Sequence, residues 1–234
     1  MTAQQILDEI KPLGRDSYRN VLVNHGITGP CYGVKIDELK KIQKCVKRDY
    51  RLALDLYETG IYDAMYLAGL IADDAKMTRK DLQSWVEMAN APLAGSTVAW
   101  VAAGGPHGFE MALKWIDSSN ELIAGAGWAT LGSLVSIKGD AELDLSQLKE
   151  LLQRVQKTIH QSPNGARRQM NNFVIDVGIY VASLSKFAIQ IGEKIGPVTV
   201  DVGNTACKVP FPPECISKAE KRGAIGKKRK TAKC

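Results

Sequence analysis

Histidine is scarce in this chain: three in 234 residues, with none of His25, His107 and His160 in an HExxH or a Cys/His spacing. That excludes the usual signatures of a zinc site. The five cysteines (Cys31, Cys45, Cys207, Cys215 and Cys234) form an odd set with no CxxC pair. This argues against a disulfide framework and points to reduced thiols. A phosphate-binding glycine loop is lacking too. Gly125, Gly127 and Gly132 follow no strand pattern, and residues 223–228 lack P-loop spacing. No metal and no cofactor is expected. Long apolar runs are equally absent. Residues 88–109 and 122–137 contain no Asp, Glu, Lys or Arg, but Gly, Pro, Asn and His break the first, and the second is too short to cross a bilayer. Both read as buried helices, and no membrane association is expected. Residues 1–15 form an amphipathic pattern containing Asp8 and Glu9 in place of a secretory signal, so the cytoplasm is the expected compartment.

What is present is enough apolar material, 45% of residues against 24% charged, for one domain to bury a core unaided. The net charge of +6 has a single address. Residues 214–234 hold eight basic and two acidic side chains, which leaves residues 1–213 neutral. A uniformly basic body is therefore excluded. The expected division is a helical domain over residues 1–203 and an irregular, proline-containing segment with a basic tail over residues 204–234, the last residues being disordered when unbound.

Apolar periodicity is helical nearly throughout. Ile36, Leu39, Ile42 and Val46 share one face, with Lys40, Lys41, Lys44, Lys47 and Arg48 on the others; Leu148, Leu151, Leu152, Val155 and Ile159 repeat the spacing, as do Met170, Phe173, Val174, Val177 and Val181. Thr2 with Gln5, Thr78 with Asp81 and Ser118 with Glu121 fit the capping-box spacing. Breakers divide the chain into about a dozen helices of about ten to eighteen residues. Only residues 198–202 alternate like a strand. Successive short helices with short connections fit an all-α solenoid of antiparallel pairs. A compact bundle buries one face per helix as well, and periodicity does not separate the two.

The segment Tyr32-Gly33-Val34-Lys35-Ile36-Asp37-Glu38-Leu39-Lys40-Lys41, followed by the LALDLYETGIYDA run from Leu52 to Ala64 and by Leu67-Ala68, resembles the N-terminal half of the AlkD-like DNA alkylation repair family. The resemblance is clearest over residues 30–90 and extends to about residue 185. It implies a HEAT-like α-solenoid, a concave groove that takes duplex DNA, and excision of N3- or N7-alkylated purines by an aromatic-lined cleft with a carboxylate. An anion held beside the sugar cation that forms as the base departs would lower the barrier. The family's W-D-x-V-D stretch falls on residues 94–101, where Trp100 supplies an aromatic and no carboxylate is present. The paired arginines fall near Ala124 and Gly125, and the late cleft tryptophan near Ile175.

Other residues are candidates for those roles. Asp176, one helical turn from Asn172, is the candidate substitute carboxylate. Trp100 and Trp128 are the candidate cleft aromatics. Residues 151–175 contain no acid and four cations, Arg154, Lys157, Arg167 and Arg168. With Asn171 and Asn172 they make a candidate phosphate-contacting ridge. Lys227, Lys228, Arg229 and Lys230 in the tail would contact any polyanion. The expected protein is a monomer that binds duplex DNA; the rival reading is a non-catalytic repeat scaffold for a protein partner or a structured nucleic acid.

Overall fold

The computed structural model describes residues 1–203 and 205–233, and among these residues it contains helices and no strands. Two capping boxes form where the spacing predicts them. The Thr2 hydroxyl accepts from the Gln5 amide while the Gln5 side chain accepts from the Thr2 amide, and Thr78 with Asp81 does the same. The third does not form. Asn120 caps its helix, accepting from the Leu122 and Ile123 amides, because its short carboxamide sits one residue before the helix and reaches those donors more directly than Ser118.

The helices are α1 (Ala3–Ile10), α2 (Asp16–Asn24), α3 (Ile36–Val46), α4 (Tyr50–Glu58), α5 (Tyr62–Ile71), α6 (Arg79–Met88), α7 (Ala91–Leu93), α8 (Ala99–Gly104), α9 (Gly108–Trp115), α10 (Glu121–Ile137), α11 (Leu145–Thr158), α12 (Asn164–Tyr180), α13 (Ser185–Ile195) and α14 (Pro212–Lys221). A π-helical stretch, Ala94–Val98, joins α7 to α8. The sequence alternates between two rows. α5, the π stretch with α8, α10 and α12 pack on one another in that order, while α4, α9 and α13 each back onto a member of that row.

This alternation accounts for the uncharged segments. α5 is buried at every position from Asp63 to Ile71, and α10 is buried along most of its length, because each has neighbours on both sides and behind it. Glycines let these helices approach their neighbours closely: a methyl at Gly127 of α10 would lie 2.7 Å from the Ile116 nitrogen at the end of α9, and one at Gly69 of α5 would run into Thr97 of the π stretch. Two apolar clusters result, one from Ile6 to Ala126 and one from Ala103 to Ala232, and Trp100 packs against both.

One buried carboxylate anchors the N-terminal third. Asp63, fully buried at the start of α5, accepts from the Tyr32 amide at 2.6 Å and the Val34 amide at 2.7 Å. Those bonds fix the segment that leads into α3.

Residues 198–202 are extended but pair with no strand. The Asn164 side chain instead brackets Asp201, accepting from its amide and donating to its carbonyl, each at 2.8 Å, while the Arg167 guanidinium donates to the Thr199 carbonyl at 2.9 Å. Side chains of α12 thus supply the hydrogen bonds that a neighbouring strand would otherwise provide.

The C-terminal expectations need correction twice. Residues 212–221 form α14, with Pro212 and Pro213 in its first turn, where a missing N–H costs nothing; Ile216 is fully buried against Gly178 of α12. The residues beyond it follow a defined path across the C-terminal ends of the inner row. The Gly226 amide bonds the Ile179 carbonyl, the Arg229 amide bonds the Ser136 carbonyl, Lys228 Nζ reaches the Val135 carbonyl and Asp140, and Lys233 Nζ reaches the Ala72 carbonyl and Asp74. Helix C-termini carry unpaired carbonyls and partial negative charge, so a basic strap docks there favourably.

Candidate nucleic-acid interface

The opposite, N-terminal ends of α10 and α12 border a cavity of about 480 Å³. Its wall comprises the ends of α7 and the π stretch, the first turns of α10 and α12, the end of α2, residues 200–203 and Thr205. Two helix N-termini converging on one space supply partial positive charge, while Asn120 and Glu121 already take the Leu122, Ile123 and Gly165 amides. Two carboxylates on that wall are already engaged: Glu121 accepts from the Gly165 amide at 3.0 Å, and Asp201 accepts from the Gly203 amide at 2.8 Å. Arg168 is exposed on the wall, and no hydrogen bond or ion pair among the described residues restrains its guanidinium. Beside it Asn172 donates to the Gln169 side chain at 3.2 Å. The Gln169 amide is thereby oriented at the wall, which offers a cation and carboxamides to a polyanion.

The predicted ridge does not stay together. Arg168 and Asn172 line the cavity, but Arg167 donates to the Ser162 and Thr199 carbonyls and serves to fasten the extended segment. Asn171 is buried, with its amide on the Pro210 carbonyl at 2.9 Å. Arg154 pairs with Asp117 at 2.6 Å and lies 5.7 Å from the centre of the Trp128 ring, a cation–π placement on α11. Lys157 is exposed on α11 and is not part of the cavity wall. An acid-free stretch reads as one surface in sequence, but the turn between α11 and α12 sends its cations to different parts of the fold.

Trp128 is likewise corrected: it is 2% exposed and tilted against Phe173 at 5.4 Å, so it is core and lines no cleft. Trp100 is half-buried, edge-on to Tyr66 at 5.9 Å, where it bridges the two apolar clusters. In the tail, Lys228 is spent on Asp140 and the Val135 carbonyl, while Lys227, Arg229 and Lys230 are exposed. Sequence reasoning missed His25, Gln169, residues 200–203 and Thr205 as wall residues; only their fold neighbours reveal them.

Asp176 lies one turn beyond Asn172, but outside the cavity, against Gly132 of α10 and near the strap's Arg229. Burial pushes its carboxyl up to about 7, and Arg229 offsets only part of that. The consequence for stability has a definite sign. The unfolded carboxyl ionises at pH ~4 while the folded one keeps its proton to about neutrality, so stability falls as pH rises between those values and levels off above them. Asp176→Asn is expected to match the parent in urea unfolding near pH 4 and to exceed it above pH 7. Equal stability at both pH values would refute the buried-carboxyl account.

Among the described residues no group of three or more His, Cys, Asp or Glu is placed to hold a metal ion, and no single helix is long and apolar enough to cross a membrane.

Alternating helical rows of this kind define an all-α, HEAT-like repeat protein, and comparison with known proteins specifies it further. Over all of both chains it superposes with a TM-score of 0.92 and 33% identity on a structure described as belonging to a new family of proteins related to the HEAT-like repeat DNA glycosylases with affinity for branched DNA structures. Two uncharacterized proteins, from Listeria innocua and Listeria monocytogenes, are each 30% identical over 228 residues, covering 95% of this chain and 99% of theirs. Residues 6–193 match the family described as DNA alkylation repair enzyme. The chain belongs to that family.

Proposed function

We propose that the protein binds DNA, preferentially branched DNA, at the cavity where α10 and α12 begin, and that it does not excise alkylated purines. The observation that carries the reading is the unrestrained Arg168 guanidinium, held beside Gln169 and Asn172 at converging helix N-termini. Phosphates would meet the Arg168 guanidinium and the Gln169 and Asn172 carboxamides there, while Glu121 and Asp201 are held on the Gly165 and Gly203 amides and do not pair with Arg168. The affinity for branched DNA of the structurally similar family supports the choice of substrate.

Excision finds no comparable support. The stretch corresponding to the family's catalytic carboxylate is the π-helical turn and the start of α8, with buried Ala94, Thr97, Val98 and Ala99. Asp176 lies outside the cavity, against Gly132 of α10, so it is not placed to balance a cation developing on DNA held there.

Fluorescence anisotropy with a four-way junction and a linear duplex of equal length tests the proposal. Arg168→Glu is expected to weaken junction binding about tenfold or more, and Arg168→Ala to flatten the salt dependence by about 0.9 in log–log slope. Junction binding unaffected by either substitution would place the interface elsewhere. No release of 7-methylguanine from treated duplex is expected; release abolished by Asp176→Asn would restore the glycosylase reading.

A further inference from the structure

We propose that Cys207 and His25 form a nucleophilic thiol site on the rim of the cavity, suited to small uncharged electrophiles. Cys207 Sγ lies 3.9 Å from His25 Nε2, although 182 positions separate the two residues. On the far side of the ring, Nδ1 lies 2.7 Å from the Val21 carbonyl. A carbonyl only accepts, so Nδ1 carries the ring proton, and the neutral imidazole turns the lone pair of Nε2 toward the thiol. The thiol hydrogen therefore has a base oriented to receive it, and the base is itself oriented by the last turn of α2. This is the arrangement an activated nucleophile requires.

The surroundings favour the charge-separated form of the pair. A hydrogen bond to Thr205 and then the imidazole pull the Cys207 thiol below its ordinary range, with Arg168 contributing from the cavity wall. The Val21 carbonyl and then the Cys207 side chain push His25 upward, against burial and the Arg168 charge. Both residues are exposed, and Val21, Asn24, Thr205 and Ala206 form an open recess around them. His25, Asn24 and Thr205 belong to the cavity wall as well, so the recess and the cavity share an edge.

The other described cysteines, Cys31, Cys45 and the half-buried Cys215, lack this combination. Cys31 is buried, and burial followed by Asp63 pushes its thiol up to about 11. Cys45 is exposed on α3 with no hydrogen-bond partner among the described residues. It serves as an internal reference for an unassisted thiol.

The reaction is a displacement at carbon. The Cys207 S–H proton passes to His25 Nε2, the sulfur lone pair forms the S–C bond, and the carbon–leaving-group bond breaks with its electron pair going to the leaving group. With iodoacetamide as the probe the products are a carboxamidomethyl thioether, iodide and a proton that the imidazole returns to solvent.

The test is limiting iodoacetamide on the full chain, with labelling of each cysteine-containing peptide followed by mass spectrometry. At pH 7 Cys207 is expected to react about tenfold faster than Cys45, as a thiolate-rich site should. His25→Gln is expected to bring Cys207 down to the Cys45 rate at pH 7 while leaving the two proteins alike near pH 10, where any exposed thiol ionises. The reference rate at Cys45 in the same sample separates lost activation from a folding defect. Cys207 reacting no faster than Cys45, or a rate indifferent to His25→Gln, would overturn the proposal.

Discussion

Asp63→Ala is expected to lower the free energy of unfolding by about 3–5 kcal/mol, seen as a lower urea midpoint at unchanged slope. The Asp63 carboxylate is fully buried and takes the amides of Tyr32 and Val34 at 2.6 and 2.7 Å. Alanine leaves both donors in a dry environment with no water to replace the oxygens, and each orphaned group costs about 1–3 kcal/mol. A cavity the size of the carboxylate adds to that loss. Asp63→Asn would be no remedy, because the carboxamide nitrogen it introduces would face one of the two N–H groups. The damage should also spread to function: residues 25–35 connect the carboxylate to the end of α2, which carries Asn24 and His25 into the cavity wall. A loss below about 1 kcal/mol would show that Asp63 is not the anchor of this segment.

How far the structure is legible from sequence depends on the range of the interactions involved. α5 and α10 are recognisable as buried helices because a helix with neighbours on several sides can carry little charge, and that restriction is written into consecutive residues. Thr2 and Thr78 are recognisable as caps because their partners lie three residues away. Periodicity identifies which face of α11 and α12 is buried, but it does not say which row each helix joins, so the cations of residues 151–175 read as one ridge although Arg154 stands over Trp128 and only Arg168 reaches the cavity. The apparent strand at residues 198–202 fails for the same reason. Its partners are the side chains of Asn164 and Arg167, tens of residues away, and nothing in the local pattern distinguishes a side-chain bracket from a strand. Composition marks the basic tail without saying that its lysines meet helix C-termini 93 and 161 positions earlier.

Those long-range contacts make the strap the second place where a single substitution should have a large effect. Lys233→Ala is expected to cost about 3 kcal/mol, while Lys230→Ala, on the same strap but exposed, should cost less than about 0.5 kcal/mol. Composition treats the two lysines alike, but their surroundings differ. Lys233 Nζ lies 2.7 Å from Asp74 and 2.8 Å from the Ala72 carbonyl, in a site closed by the approach of Gly104 and Gly105 to Asp74. Burial pulls the Lys233 ammonium down from its ordinary range and pushes the Asp74 carboxyl up, each against the attraction of the other. Both shifts run toward the neutral forms, so desolvation outweighs what the ion pair returns, and the pair fixes the position of the strap more than it adds stability. Removing one partner is then the costly change, because it strands the other charge in the same site. Asp74→Ala alone should be similarly damaging, whereas the double substitution should recover part of the loss, giving a coupling energy of at least about 1 kcal/mol in a double-mutant cycle. Additive single effects would mean that the strap is held by the burial of Ala232 and Ile225 and not by its terminal lysine.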